Sequence, residues 1–289
     1  EAQERLIGLL MASNGYLVAM PDYLSLGPGS TGLHPYVHRR SSATVTVDML
    51  RATRTAAATD PDIGAALSGG LSGKLFLFGY SQGGYVTLAA QQEIELRHAS
   101  EFQVTASAPS DGPYDLSGTM ADIMTSSNSY SSPNYLPYML LSYNEIYRFF
   151  DDPAEVLLEP YATSLPPLFD GEHSGAEIDA VMPASGVPSD ILRPEFMQAF
   201  IDDPDHPFRN VLRENDLLGW APISPTRLYH CAADNTVPYA NAEAAHASFL
   251  AAGADPARVG LIDPDPNGSH GTCLFAAVPL IIDWFESLR

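Results

Sequence analysis

The chain has 289 residues, with 14 basic residues against 35 acidic ones and a formal net charge of −21. This length is enough for one large domain with a sizeable buried core. A strongly negative field repels nucleic acid and anionic membrane surfaces, so we expect neither as a partner. No apolar run approaches the roughly twenty residues needed to cross a bilayer, so we expect no integral membrane segment.

Helices and strands alternate along residues 1–117. The hydrophobic pattern predicts helices over residues 1–12, 41–59 and 85–97, and strands over residues 17–20, 75–78 and 102–107. Alternation of this kind is typical of a mostly parallel sheet that is covered by helices on both faces. We therefore predict an α/β fold in which residues 1–117 form the first part of the core.

A glycine-rich pentapeptide, Gly79-Tyr80-Ser81-Gln82-Gly83, stands between the predicted strand 75–78 and helix 85–97. In a strand–turn–helix context, the pattern G-x-S-x-G is typical of a nucleophile elbow, which projects a serine above the carboxyl end of a sheet. The glycines avoid a collision where the strand folds back onto the helix. We predict that Ser81 is the nucleophile and that the backbone N–H of Gln82 donates to an oxyanion. A plain strand-to-helix turn is the alternative.

Prolines and aromatic residues multiply between residues 118 and 217, and short helices are expected there, for example over residues 138–149 and 193–201. We predict that this segment is an inserted cap, or lid, which excludes water from the site and lines an apolar pocket. The alternative is that its aromatic residues form only a small core of their own.

Residues 218–289 are predicted to complete the core, with strands at 226–231 and 258–263 and helices at 241–251 and 275–288. Asp234 opens the turn after the first of these strands. His270 lies 36 residues later, in a glycine-flanked loop after the second strand. The order serine, aspartate, histidine suits a triad at one rim of the sheet, with His270 as the base and Asp234 as its orienting acid. Asp234 could instead be a turn cap, and Asp263 or Asp265 would then be the next candidate acid.

The other histidines fit structural roles better. His230 is expected in the core or at the rim of the sheet, and His98 at the end of a helix, where a cation is favoured. His34 and His38 are spaced like a metal-binding pair, but Pro35 disfavours a regular helix across them and no acidic or cysteine ligand completes the set. We predict no metal and no cofactor.

Cys231 and Cys273 are the only cysteines, and they lie three residues from Asp234 and His270 respectively. If the two loops meet, a disulfide could join them; two buried free thiols are the alternative. A disulfide would place the protein in an oxidising compartment. We therefore predict a secreted or periplasmic location.

Several segments together resemble the α/β-hydrolase superfamily, and within it the bacterial and fungal secretory lipase and esterase group. They are Met20-Pro21-Asp22-Tyr23-Leu24-Ser25-Leu26-Gly27, residues 79–84, Ala108-Pro109-Ser110-Asp111-Gly112-Pro113-Tyr114-Asp115-Leu116, residues 234–238 and the histidine loop. The resemblance implies a serine carboxylic-ester hydrolase that acts through Ser81, Asp234 and His270 on a small-molecule or lipid ester.

The chain departs from that family pattern in one respect. No His-Gly type loop, which usually contributes an oxyanion donor, precedes Asp22. We therefore expect that the first strands are missing from this chain, and the sequence assigns no second oxyanion donor. Two other functions stay open, a serine peptidase of the prolyl-oligopeptidase type and a non-catalytic binding module with the same fold. The sequence does not indicate an oligomeric state.

Overall fold

The computed structural model describes residues 2–27, 29–67 and 70–289, so Glu1, the start of the first predicted helix, lies outside the described residues. The α-helices are α1 Ala2–Ser13, α2 Arg39–Thr59, α3 Pro61–Ala66, α4 Gln82–Arg97, α5 Ala121–Thr125, α6 Tyr135–Tyr147, α7 Tyr161–Ser164, α8 Gly175–Asp179, α9 Pro194–Asp202, α10 Pro207–Asn215, α11 Ala240–Ala251 and α12 His270–Glu286. The strands are β1 Leu75–Tyr80, β2 Val104–Ser110, β3 Thr226–Tyr229 and β4 Val259–Ile262. None of the helices in these three ranges combines the length and the apolar character needed to cross a membrane.

The four strands form one parallel sheet in the order β1-β2-β3-β4. Their carboxyl ends lie side by side, because Tyr80 pairs with Ser110 and Ser110 pairs with Tyr229. Residues that directly follow these strands therefore meet at one edge of the sheet. The predicted α/β class is confirmed.

Helices cover both faces of the sheet. Successive side chains of a strand point to opposite faces. In β1, Phe76 and Phe78 pack against residues of α1 and α12, whereas Leu75 and Leu77 pack against residues of α2 and α4. Burial of apolar side chains on both faces stabilises the sheet by about 25 cal/mol for each Å² removed from water.

The strand predicted over residues 17–20 is not formed. These residues have no regular secondary structure, and their larger side chains are exposed, with Leu17 42% and Met20 47% exposed. Their apolar pattern resembles that of a strand, but a strand exists only when its N–H and C=O groups pair with a neighbour. In the described part of the chain, none of the four strands pairs with this segment. That prediction was wrong.

The last helix begins five residues earlier than predicted. His270 was expected in a loop, but it is the first residue of α12. The backbone of Ser269 is extended, and its carbonyl accepts hydrogen bonds from Thr272 N at 3.0 Å and Cys273 N at 2.9 Å. Gly271 lies inside the first turn, where the sequence pattern indicated a loop.

Residues 118–217 contain α5 to α10 together with short helical turns. Their buried apolar side chains form one cluster with those of α4 and α11. The carboxylate of Asp216 accepts hydrogen bonds from Leu116 N at 2.8 Å and Ser117 N at 2.9 Å. The segment therefore packs onto the loop that follows β2. Its role as a cap stays a prediction.

Candidate active site

Ser81 is the single residue between β1 and α4. Its backbone has φ 57° and ψ −121°, a conformation that residues with a side chain rarely adopt. Ser81 N donates a hydrogen bond to Ser110 O at 2.9 Å, which ties the turn to the end of β2. Such backbone strain persists only where the surrounding structure enforces it, and it is common at functional sites.

Two glycines permit this turn. A Cβ atom on Gly79 would lie 2.1 Å from Gly83 O, and one on Gly84 would lie 2.2 Å from Ser110 O. Both are backbone atoms that cannot move without distorting the strand–helix junction. A Cβ atom on Gly83 meets nothing closer than Tyr23 Oη at 3.8 Å.

This difference predicts which glycines are required. Gly79→Ala and Gly84→Ala are each expected to lower the free energy of unfolding by at least about 2 kcal/mol through overpacking. Gly83→Ala is the matched control, and it should retain or slightly raise stability because alanine favours a helix. Urea unfolding of the three variants measures the effect. Equal stability of all three would contradict the steric argument.

His270 links the serine to an acid. Its Nε2 lies 2.9 Å from Ser81 Oγ, and its Nδ1 lies 2.6 Å from Asp234 Oδ2. An ionised carboxylate can only accept, so Nδ1 carries the proton and donates it to Asp234. Nε2 is then free to accept the hydroxyl proton of Ser81. The structure thus brings together three side chains from separate elements in one hydrogen-bonded chain.

Asp234 is held in its ionised form. Its Oδ1 accepts hydrogen bonds from Thr236 N at 2.8 Å and Val237 N at 2.9 Å, while Oδ2 accepts the bond from His270. Burial acts to raise the pKa of the Asp234 carboxyl, but the hydrogen bonds and the charge of His270 outweigh it. The pKa therefore lies below its usual range.

Neighbouring groups fix the position of the histidine. The backbone N–H of His270 donates to Asn235 Oδ1 at 3.2 Å, and the hydroxyl of Tyr80 donates to the carbonyl of His270. Asn235 was not among the sequence candidates, although it directly follows the predicted acid. Its position in the acid turn was the available signal.

Cys231 and Cys273 form a disulfide across 42 residues, with their Cα atoms 5.8 Å apart. This settles the alternative between a disulfide and two thiols that the sequence left open. The bond joins the segment that carries Asp234 to the first turn of α12, which carries His270.

We expect the disulfide to stabilise both the fold and the site. Replacing both cysteines by alanine should lower the free energy of unfolding by roughly 2–4 kcal/mol. Guanidinium unfolding with and without a reductant measures the effect. The reductant should destabilise the wild type to the level of the double variant and leave the double variant unchanged. A wild type that is insensitive to complete reduction would contradict this expectation.

The histidines that the sequence set aside make structural contacts. His34 Nδ1 lies 2.8 Å from Leu24 O and its Nε2 lies 2.6 Å from Gln82 Nε2, so the ring donates at one nitrogen and accepts at the other. His38 caps α2, where its Nδ1 accepts from Ser41 N at 3.3 Å. His230 is fully buried, and its Nε2 donates to a backbone carbonyl at 2.8 Å.

Among the described residues, Asp111, Asp234 and His270 offer potential metal-binding atoms within 4.8 Å of one another. Asp234 and His270 are already hydrogen-bonded to each other. Burial raises the pKa of the Asp111 carboxyl to about 8, which favours its neutral form. A neutral acid is a poor ligand for a hard cation. The predicted absence of a metal stays a prediction.

An apolar pocket lies beside Ser81. Its walls include Val37 and Leu116 from the core, and Tyr130 and Tyr135 from the segment 118–217. The last three of these residues also line a second apolar pocket, formed mostly by residues of that segment. The hydroxyl of Tyr130 donates to the backbone carbonyl of Thr236 at 2.6 Å, which joins the pocket wall to the acid turn.

The chain has a parallel sheet with helices on both faces. At the carboxyl ends of its strands, a serine, a histidine and an aspartate are in hydrogen-bond contact. These features together define the class of α/β-hydrolases. Comparison with solved structures agrees with this class. No protein-family model matches the chain. A search of the curated proteins found no match either.

The rice cell wall degrading esterase LipA from Xanthomonas oryzae is 32% identical, and the match covers 92% of this chain and 70% of LipA with a TM-score of 0.77. A protein of Legionella pneumophila is 28% identical over 95% of this chain and 70% of its own, with a TM-score of 0.82. Candida antarctica lipase A is 15% identical over 86% of this chain and 56% of its own, with a TM-score of 0.61, and shows the fold alone. The chain belongs to the α/β-hydrolase superfamily, in its lipase and esterase branch.

Proposed function

We propose that this protein is a serine carboxylic-ester hydrolase in which Ser81, His270 and Asp234 act as a catalytic triad. The observation that carries the proposal is the hydrogen-bonded chain from Ser81 Oγ through His270 to Asp234, at 2.9 and 2.6 Å. As the serine oxygen bonds to the ester carbonyl carbon, His270 Nε2 takes its proton. Asp234 stabilises the imidazolium that forms.

The oxyanion that develops on the carbonyl oxygen needs hydrogen-bond donors. Gln82 is the first residue of α4, so its backbone N–H has no acceptor within the helix. The N-terminus of α4 also carries a partial positive charge that favours an anion. Collapse of the intermediate expels the alcohol, which receives the proton from His270. Water then attacks the acyl-serine, with His270 again as the base, and releases the acid.

The pocket beside Ser81 supports an ester with an apolar acyl group. Its lining is almost entirely aliphatic and aromatic, so the part of an apolar group that contacts it would be removed from water without leaving a charge unpaired. The strong negative charge of the protein disfavours anionic substrates and surfaces. We therefore propose uncharged small-molecule or lipid esters as the substrates.

Labelling with a fluorophosphonate probe tests the proposal. The wild type should react at one serine and lose its p-nitrophenyl esterase activity in proportion to labelling. Ser81→Ala should show neither labelling nor turnover. Ser287 is an exposed serine at the end of α12, and Ser287→Ala should behave as the wild type. Labelling that survives in Ser81→Ala would contradict the assignment.

A substrate panel separates the alternatives that the sequence left open. p-Nitrophenyl esters of increasing acyl length should be hydrolysed, and a prolyl peptide anilide should not. Preferential cleavage of the anilide would indicate a peptidase. Absence of both labelling and hydrolysis would favour a binding module.

We also propose a secreted or periplasmic location. The disulfide between Cys231 and Cys273 supports it, because such bonds persist mainly in oxidising compartments. Thiol titration of the protein isolated from its source organism tests this proposal. Two reactive thiols after denaturation would contradict it.

A further inference from the structure

A buried carboxyl group that the proposed mechanism does not use lies behind the triad. Asp111 directly follows β2, is 0% exposed and has a backbone φ of 48°. Its N–H donates to Tyr229 O at 2.8 Å, and its Oδ1 accepts from Cys231 N at 3.3 Å. When ionised, its Oδ2 has no hydrogen-bond partner in the described part of the chain. Burial of an acceptor without a hydrogen-bond partner costs free energy, so such an oxygen is uncommon in a folded protein.

The carboxylate of Asp234 is adjacent. One carboxyl oxygen of each residue and Nδ1 or Nε2 of His270 lie within 4.8 Å of one another. Two carboxyl groups this close in a buried site cannot both be ionised at low cost. Asp234 keeps its charge because His270 and two backbone N–H groups donate to it. The proton of the pair therefore resides on Asp111.

We propose that Asp111 is a positioning residue for Asp234: as a neutral acid it donates a hydrogen bond to the Asp234 carboxylate and avoids a second negative charge beside that carboxylate. This inference rests on the proposed triad, because it concerns the acid that orients His270. The turn after β2 is suited to the task, since Ser110 and Tyr229 are paired and bring Asp111 to the rim where the acid turn begins.

Electrostatics agree with this assignment. Burial is the main cause that raises the pKa of Asp111, to about 8, and the N–H of Cys231 opposes it. The charge of Asp234 and a hydrogen bond with it raise the pKa further, as does the charge of Asp263. The ionisable groups that face Asp111 are Asp234, His270, His230, Asp263, Tyr80 and Tyr114.

Loss of the proton has a predictable effect on turnover. Ionised Asp111 repels Asp234 and removes the hydrogen bond between them. The Asp234 carboxylate then loses the donor that holds it in the position from which it orients His270. Turnover should therefore fall as Asp111 ionises at alkaline pH.

The pH profile of kcat/KM for p-nitrophenyl butyrate tests the proposal in Asp111→Asn and Asp111→Ala. The wild type should decline with an apparent pKa near 8, the value expected for Asp111. Asp111→Asn keeps a neutral N–H donor, so its activity at pH 7 should stay close to wild type and the decline should vanish. Asp111→Ala should lose roughly tenfold to a hundredfold in kcat with little change in KM, because a hydrogen bond to a charged group is lost.

Asp263→Asn is the matched control. The charge of Asp263 acts on Asp111 through space. The Oδ1 atom of Asp263 itself accepts a hydrogen bond from the N–H of Asp265 at 3.1 Å. This variant should keep an alkaline decline, displaced to somewhat lower pH because the charge of Asp263 no longer raises the pKa of Asp111. A decline that persists unchanged in Asp111→Asn, or equal activity of Asp111→Ala and Asp111→Asn at pH 7, would overturn the proposal.

A second measurement is independent of turnover. The folded-state pKa of Asp111 lies above the unfolded value, so the folded chain binds the extra proton. The resulting stability is fully present below the unfolded pKa and is lost as the pH rises to about 8. The free energy of unfolding of Asp111→Asn relative to wild type should therefore rise with pH between about 5 and 8. The slope of this difference against pH should correspond to about one bound proton. Parallel curves would overturn the protonation of Asp111 even if the Ser81 labelling succeeds; failure of that labelling alone would reject only the proposed triad chemistry.

Discussion

Replacement of His270 by alanine is expected to lower kcat for ester hydrolysis by about a millionfold, with little change in KM. The imidazole is placed 2.9 Å from Ser81 Oγ and 2.6 Å from Asp234 Oδ2. Without it, the hydroxyl keeps its proton and the alcohol leaves without an acid. Steady-state kinetics on p-nitrophenyl butyrate measure the effect.

His246→Ala is the control for this experiment. His246 lies on α11, a helix that contains no triad residue, and its loss should leave kcat unchanged. Circular dichroism should show that His270→Ala remains folded, because the disulfide at Cys273 still ties the first turn of α12. A residual kcat within roughly tenfold of wild type is too high for loss of the general base and would reject His270 in that role.

The second large effect is expected for Asp234→Asn, which should lower kcat by about ten-thousandfold. An amide keeps the size of the side chain but presents an N–H where Oδ2 accepted from His270 Nδ1. The imidazole would then carry its proton on Nε2, where it cannot accept from Ser81. Stabilisation of the imidazolium is lost as well. The same ester kinetics report both losses as one fall in kcat.

Asp263 and Asp265 were the alternative acids, and they provide the comparison. Asp263 Oδ1 accepts from the N–H of Asp265, and Asp265 Oδ1 accepts from the N–H of Asn267 at 3.0 Å. Both carboxylates thus make local turn contacts. Asp263→Asn and Asp265→Asn should each stay within about threefold of wild-type kcat, as expected for changes at a partly exposed surface. A larger loss in one of them than in Asp234→Asn would reassign the acid.

Local sequence patterns correctly predicted the elements whose formation and end points both depend on one short segment of the chain. The strand before Ser81 and the helix after it follow from an apolar run, glycines and a helix-compatible run in direct succession. The segment 17–20 shows the limit of this reasoning. Its residues have the composition of a strand, but a strand requires a partner from elsewhere in the chain, which the segment itself cannot specify.

The amino-acid sequence by itself determined the α/β class, the turn at Ser81 and a short set of candidate side chains, because each depends on periodicity or on the sterics of neighbouring residues. Only the tertiary structure decided that Ser81 and His270, 189 residues apart, lie in contact and that the two cysteines are bonded. It also placed Asp111 behind Asp234, which no local pattern indicated. Contacts of this kind arise from the register of parallel strands, and that register is set by packing of the whole sheet rather than by any one segment.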